Sequence, residues 1–350
     1  MNYKGYYLLS FFNLQKPTST SQLLHVFQGK RTPSMFYLTE KNGWHHAFLQ
    51  FKRITIDEIE EVVQQFLQKK WLYPKEKGFV LTEIGLNELE SYFSQRYFPK
   101  VNRFTNLNIR SAFWERYQLF AQTFSEMAYK NQRYSPVIKH PQHQENVRLL
   151  FQQYPDQRKE LVEKWVEEQK FLFTHLEESH SNTIIAQLSG HQIIGETKSQ
   201  LQELLEMDQF EYALYHQDII EEILNLIEEN SEILVLLNAI VCQLHRETNY
   251  GLSSSTYISY ELLKQGFGID NIASRRQLKE NTIREHILEM AFVFSDFPIA
   301  KYIPLPIYNQ LHKDFETNEN YTYRDAKEAI DELEFMYYRL VEIERIRMNE

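Results

Sequence analysis

Along most of this chain apolar positions recur at spacings of three and four, the mark of amphipathic helices. Residues 3–14 carry such a stripe, which stops near Pro17, and Thr18, Ser19 and Thr20 offer N-caps for a second helix ending at Phe27. A third helix is expected from Asp57, with Ile59, Val62, Val63, Phe66 and Leu67 on one face. Glu58, Glu60 and Glu61 lie in its first turn, where the helix dipole favours acids. The pattern then shortens. Leu72-Tyr73, a turn-like run from Pro74 to Gly78, and Phe79 to Thr82 read as two short strands joined by a charged loop, and helical spacing resumes over 84–93. Helices followed by a charged hairpin describe a winged helix over residues 1–98.

From residue 109 to about 244 nearly everything reads as helix, including 156–178, where Leu161, Trp165, Phe171 and Leu172 are separated by Glu and Lys. Three further helices are predicted over 256–265, 269–275 and 281–291, the first ended by Gly266. Ile272, Ala273, Leu278, Ile283, Ile287 and Leu288 fall where a helix-turn-helix needs core residues. Ala273 is the most informative of them, because the two crossing helices leave no room for a larger side chain. The expected fold is mainly α in three parts: a winged helix (1–98), a helical middle domain (99–250), and a helix-turn-helix with a helical extension (251–350).

In a helix-turn-helix the last helix enters the major groove with its N-terminal residues against the bases, which assigns Lys279, Glu280, Asn281, Thr282 and Arg284 to DNA, with His286 close behind. Arg275 and Arg276 end the preceding helix and join the candidate contacts. Asn and Arg read base edges, and Lys and Thr hold phosphates. The segment 253–291 nevertheless balances five basic residues against five acidic ones, so a protein-docking role for the same fold stands as an alternative.

The stretch GFGIDNIASRRQLKENTIREHI, followed by FPIAKYIPLPIYNQLHKDFE and a final helix from Tyr323, resembles the helicase-associated helix-turn-helix domain that ends some RecQ-type DNA helicases. The same domain occurs in a small family of uncharacterised bacterial proteins typically encoded beside such a helicase. The first module is similar to the RecQ winged helix through Leu24 to Phe27 with Gln28-Gly29-Lys30-Arg31, the helix ending in Lys69-Lys70-Trp71, and the closing Leu81-Thr82-Glu83. The chain departs from the helicase where ATP is hydrolysed. Its Gly29-Lys30 lacks the preceding glycine of a phosphate loop and is followed by Arg31-Thr32. The resemblance therefore implies a non-enzymatic accessory, acting with a separate RecQ-type helicase in DNA recombination or repair. The wing-tip lysines would sit at a strand junction. A transcription regulator, or a scaffold without DNA affinity, are the competing readings.

Charge distribution supports the first module as the phosphate-binding one. The 350 residues carry a net −10, yet residues 1–110 carry +6 while 111–250 carry −11 and 251–350 carry −5. Lys30, Arg31, Lys52, Arg53, Lys75 and Lys77 are the expected phosphate contacts there, with weak sequence preference. The acidic middle is expected to repel DNA and to offer a docking face or an ordinary solvated surface. Only 10 Gly and 10 Pro argue against a sandwich or barrel. Cys242 lies in the apolar run 233–244, which suits a buried thiol in a reducing compartment. No apolar run is long enough to span a bilayer, and the N-terminal MNYKGYYLLSFF is too short in apolar length for a secretion signal, so a cytoplasmic location without membrane contact is expected.

Other chemistry is not expected. His45-His46 and the His140, His143 pair lack the geometry and companion ligands of a metal site and read as surface histidines. Cys242 with His245 has no oxyanion-hole signature. Glu177-Glu178, Glu221-Glu222 and Glu228-Glu229 read as solvated helix faces, and the clustered aromatics Tyr6, Tyr7, Phe11, Phe12, Phe113, Trp114, Tyr117 and Phe120 as core. No cofactor, metal or catalytic residue is assigned.

Overall fold

A computed structural model describes residues 1–152, 158–318 and 321–348. Its described residues form two compact units. One comprises Met1–Lys4, Gln95–Val101 and Asn106–Tyr250, the other Gly5–Ser94, Asn102–Thr105 and Gly251–Glu350. Residues 5–94 thus share a unit with the C-terminal stretch from Gly251. The architecture is mainly helical with one two-stranded hairpin, as the periodicity required.

The shared unit begins within α1 (Tyr3–Leu9), at Gly5, and continues with α2 (Thr20–Phe27), which is capped by Ser19, whose hydroxyl accepts from Gln22 N. Helix α3 (Pro33–Lys41) was not expected, although Thr32 caps it and Pro33 occupies its first turn, both ordinary helix-start signals. Helix α4 (Ile56–Gln68) starts from a Thr55–Glu58 capping box and buries Ile59, Val63 and Phe66. Strands β1 (Leu72–Lys75) and β2 (Gly78–Leu81) pair antiparallel with Lys75 opposite Gly78, so the joining turn is tighter than the expected 74–78 loop. Thr18 adds a bridge to Phe79 through two backbone bonds of 2.9 and 3.0 Å. Gly78 permits that bridge, since a Cβ there would come 2.5 Å from the Thr18 carbonyl oxygen. Helix α5 (Glu83–Phe93), capped by Thr82, closes the module. Along this module α1 to α4 precede the hairpin and α5 follows it, with Thr18, between α1 and α2, as the bridging residue.

The other unit holds α6 (Arg110–Ala128), α7 (Pro141–Gln152), α8 (Arg158–His175), α9 (Glu178–Ala186), α10 (Lys198–Leu204), α11 (Gln209–Glu229) and α12 (Val235–Glu247). The expected start of a helix at residue 156 lies outside the described residues. Phe113, Trp114, Tyr117, Phe120 and Phe124 of α6 are buried with Trp165 and the apolar face of α11. Buried acids do structural work in this unit. Glu168 accepts from the backbone N–H of Leu236 and Leu237 at 2.8 and 3.0 Å and caps α12, whose own N-cap Leu234 has no side-chain acceptor to offer. Asp218 accepts from Tyr97 Oη, Lys100 N and Val101 N, and Glu221 from Arg110 Nε at 2.5 Å. Glu221 is therefore buried rather than solvated, and Glu222 is held 2.5 Å from His180 Nδ1. Cys242 corrects a second expectation. It points outward from the exposed side of α12, because the buried stripe of that helix runs through Leu237, Ile240, Val241 and Leu244.

The chain returns to the shared unit with α13 (Ser254–Lys264), α14 (Ile269–Arg276), α15 (Glu280–Val293), α16 (Leu305–Thr317), α17 (Tyr323–Ala329) and α18 (Phe335–Met348). Phe36 of α3 stacks on Phe292 of α15 at 5.6 Å and meets Phe104 edge-on at 5.0 Å. Two ion pairs tie the same elements. Arg31 meets Glu289 at 2.7 Å, and Arg347 of α18 meets Glu40 of α3 at 2.6 Å. Among the described residues no helix is long and apolar enough to cross a membrane.

Candidate nucleic-acid interface

Helices α13, α14 and α15 form a helix-turn-helix whose small core is Ile272, Ala273 and Ile283, flanked by Leu262, Leu263, Phe267, Ile269 and Leu278. Gly266 ends α13 with φ +87°, and Phe267 N returns to the Leu262 carbonyl at 3.2 Å. Gln277 takes the left-handed conformation at the end of α14, and Leu278 N donates to Ala273 O at 2.9 Å. Ile287 and Leu288 are buried further along α15, as their spacing required.

The N-terminal turn of α15 presents Lys279, Glu280 and Asn281 to solvent, with Thr282 half-buried. The Lys279 side chain forms no hydrogen bond or ion pair among the described residues, although its carbonyl accepts from Thr282 N at 2.9 Å. Arg284 differs. Its guanidinium donates to both oxygens of Glu334 and to Glu280 at 3.0 Å, and these carboxylates raise its already high pKa. Arg276 is also committed, donating to Ser255 O and Ser259 Oγ. Arg275 is exposed and lies 3.8 Å from the centroid of Phe267. His286 corrects an expectation: it is buried, 2.8 Å from Ser259 Oγ, with its pKa lowered first by burial and then by Arg276. A residue six positions into α15 turns back toward α13 instead of facing outward.

In the first module two basic groups form. Leu49 N and Phe51 N donate to Val26 O and Phe27 O, and Gln28 Nε2 donates to Ile54 O, which brings the Lys52-Arg53 segment beside Lys30. Gly29 makes the approach possible. It has φ +69°, and a Cβ would come 2.5 Å from Leu49 Cδ1. Lys30 approaches only His25, at 3.4 Å, while Lys52 and Arg53 have no partner among the described residues. The second group is the hairpin, where Lys75 and Lys77 flank the turn, both exposed, and Lys77 has φ 75°. Arg31 is separate from both groups. It is half-buried and donates to Gly251 O at 2.6 Å as well as to Glu289.

The histidine pairs also differ from expectation. His45 and His46 are buried, His45 bonded to Glu40 at 3.0 Å and His46 to Tyr7 Oη at 2.7 Å. His143 is buried too, between Arg116 and Glu115. Among the described residues no group of His, Cys, Asp and Glu has the arrangement of a metal site.

Residues 255–342 match the family model of a helix-turn-helix domain, a span that takes in α13 to α15 and most of the extension. Over 336 residues the chain is 24% identical to Protein YpbB of Bacillus subtilis (strain 168), covering 92% of this chain and 91% of that protein. No solved structure matches the chain.

Proposed function

We propose that the protein is a non-enzymatic DNA-binding accessory that works with a RecQ-type helicase in recombination or repair, with weak sequence preference. The observation that carries this reading is the sharing of one unit by a helix-turn-helix and a lysine-tipped hairpin. Lys30, Lys52, Arg53, Lys75, Lys77 and Lys279 form no ion pair there among the described residues. Unpaired, solvated cations neutralise phosphates without first giving up a bond inside the protein. The 111–250 stretch, at −11, disfavours phosphate. The helicase partner rests on the sequence resemblance to RecQ accessory domains.

A specific observation favours a second reading, a scaffold whose helix-turn-helix docks protein: the α15 arginine best placed for a base edge is neutralised by Glu334 and Glu280. Fluorescence anisotropy with labelled single-stranded, duplex and forked DNA, at low and near-physiological salt, separates the two. Binding that weakens steeply with salt and favours forks supports the accessory. No binding to any substrate at low salt removes DNA recognition and leaves protein docking.

A further inference from the structure

Within the shared unit, α3, the end of α16, the start of α17 and α18 enclose an open groove of about 580 Å³, in the size range of sites that hold one small molecule or one nucleotide. Its walls are aromatic. Tyr37, Phe315, Tyr321, Tyr323 and Tyr338 line it, with Tyr321 edge-on to Phe315 at 5.6 Å and Tyr323 edge-on to Tyr338 at 5.5 Å. Its charged groups are Lys41, Arg339 and Arg345 against Glu342. Glu342 is already neutralised. It accepts from Tyr37 Oη at 2.8 Å and Tyr338 Oη at 3.3 Å and faces Arg339 at 2.8 Å, while Arg339 lies 3.4 Å over the Tyr37 ring.

Lys41 donates only to Tyr37 Oη at 3.1 Å, and Arg345 rests over Phe315 at 4.5 Å without an ion pair among the described residues. The groove therefore carries two cations without an ion pair among the described residues, beside ring edges and faces, in a chain whose net charge is negative. Burial and Glu342 push the Tyr37 hydroxyl up to about 12, and burial and Asp314 do the same for Tyr321, so both remain neutral beside an anion.

We propose that this groove binds a segment of single-stranded nucleic acid, a base lying against the Tyr321 and Tyr323 wall and its flanking phosphates neutralised by Lys41 and Arg345. Aromatic surfaces that accept any base, set beside cations that follow the backbone, are how single strands are held without sequence preference. The site goes beyond the reading above and does not depend on the hairpin lysines.

The test uses the full chain and a short oligothymidylate, fluorescein-labelled for anisotropy and carrying 5-iodouracil for photo-crosslinking. Lys41→Glu with Arg345→Glu should weaken oligothymidylate binding about fivefold or more and leave duplex binding unchanged. Crosslinks should map to the peptides holding Tyr321 and Tyr323, and persist in Lys75→Glu with Lys77→Glu. Should the charge-reversed protein lose its helical circular dichroism, Lys41→Gln with Arg345→Gln and Tyr323→Ala give the same readout. Unchanged oligothymidylate affinity with crosslinks elsewhere overturns the proposal. Binding of polyglutamate in place of oligothymidylate also overturns it, in favour of an acidic protein partner.

Discussion

Glu334, in the turn before α18, holds the Arg284 guanidinium with both carboxylate oxygens, 2.5 Å from Nε and 2.9 Å from Nη2. Arg284 lies in the N-terminal half of α15, where the proposed DNA contacts fall, and there a carboxylate from the C-terminal extension takes the place a phosphate or guanine edge would take. Glu334→Gln removes that competitor. DNA affinity should rise about threefold to tenfold and the salt slope by about one, and Arg284→Ala should abolish the gain. Equal affinity in wild type and both variants, measured by anisotropy, would show Arg284 to be structural.

Charge reversal at Lys75 and Lys77 should weaken duplex and forked DNA alike, whatever their sequence. Two lost phosphate contacts correspond to a fall of roughly two in the slope of log K against log salt. A loss confined to one duplex sequence would point instead to base readout and to the transcription-regulator reading.

Arg31→Ala should act on stability rather than on DNA. It leaves Glu289 buried with only Ser253 and Thr256 for partners. Burial raises the Glu289 pKa, but Arg31 and these hydrogen bonds outweigh it and hold the carboxyl below its ordinary value. Loss of the charged bonds should cost about 2 kcal/mol in chemical denaturation. The salt slope of DNA binding should stay unchanged.

Ala273→Leu should cost about 2 kcal/mol by overpacking the crossing of α14 and α15. Ala273 is buried between Ile272 and the Leu278 turn, so the added atoms have no free volume to enter. Thermal denaturation reads the effect. An unchanged melting temperature would mean that the helices cross less closely than described.

Acid stability is set partly by buried neutral histidines. Burial pushes His46 and His216 down to about 3, helped by His45 and Lys198 respectively. In the unfolded chain both bind a proton below about pH 6.5. Stability is thus complete above that value and falls as pH drops toward 3, by up to about 1.4 kcal/mol per pH unit for each histidine. His216 Nε2 has no hydrogen-bond partner among the described residues. His216→Phe should therefore make the acid-side slope in denaturant titrations shallower by about one such increment. An unchanged slope would place a proton on His216 in the folded state.

Local order was legible wherever a short stretch of chain carries its own instructions. Ser19 was legible as a cap because its hydroxyl satisfies an amide group that the helix cannot, and Thr55 and Thr82, which were not read as caps, act in the same way. Gly266 stops α13, and the small Ala273 marks the crossing of α14 and α15. Helix α3 was missed because its apolar stripe is short, although Thr32 and Pro33 announced its start. His45, His46 and Glu221 were read as solvated because polarity alone does not reveal a buried partner, and Glu40, Tyr7 and Arg110 lie 5, 39 and 111 residues away from them.

The sequence by itself determined most of the helices, the hairpin, the helix-turn-helix and the presence of basic residues in the first module, since periodicity, caps and turns act over a few residues. Tertiary structure decided which cations remain available. Arg31 and Arg284 are as basic as Lys75 in sequence, yet Glu289 and Glu334 engage them across separations of 258 and 50 residues. It also set Tyr37 and Lys41 of α3 beside Arg345 of α18. Such meetings depend on how whole faces pack, and no local spacing encodes them.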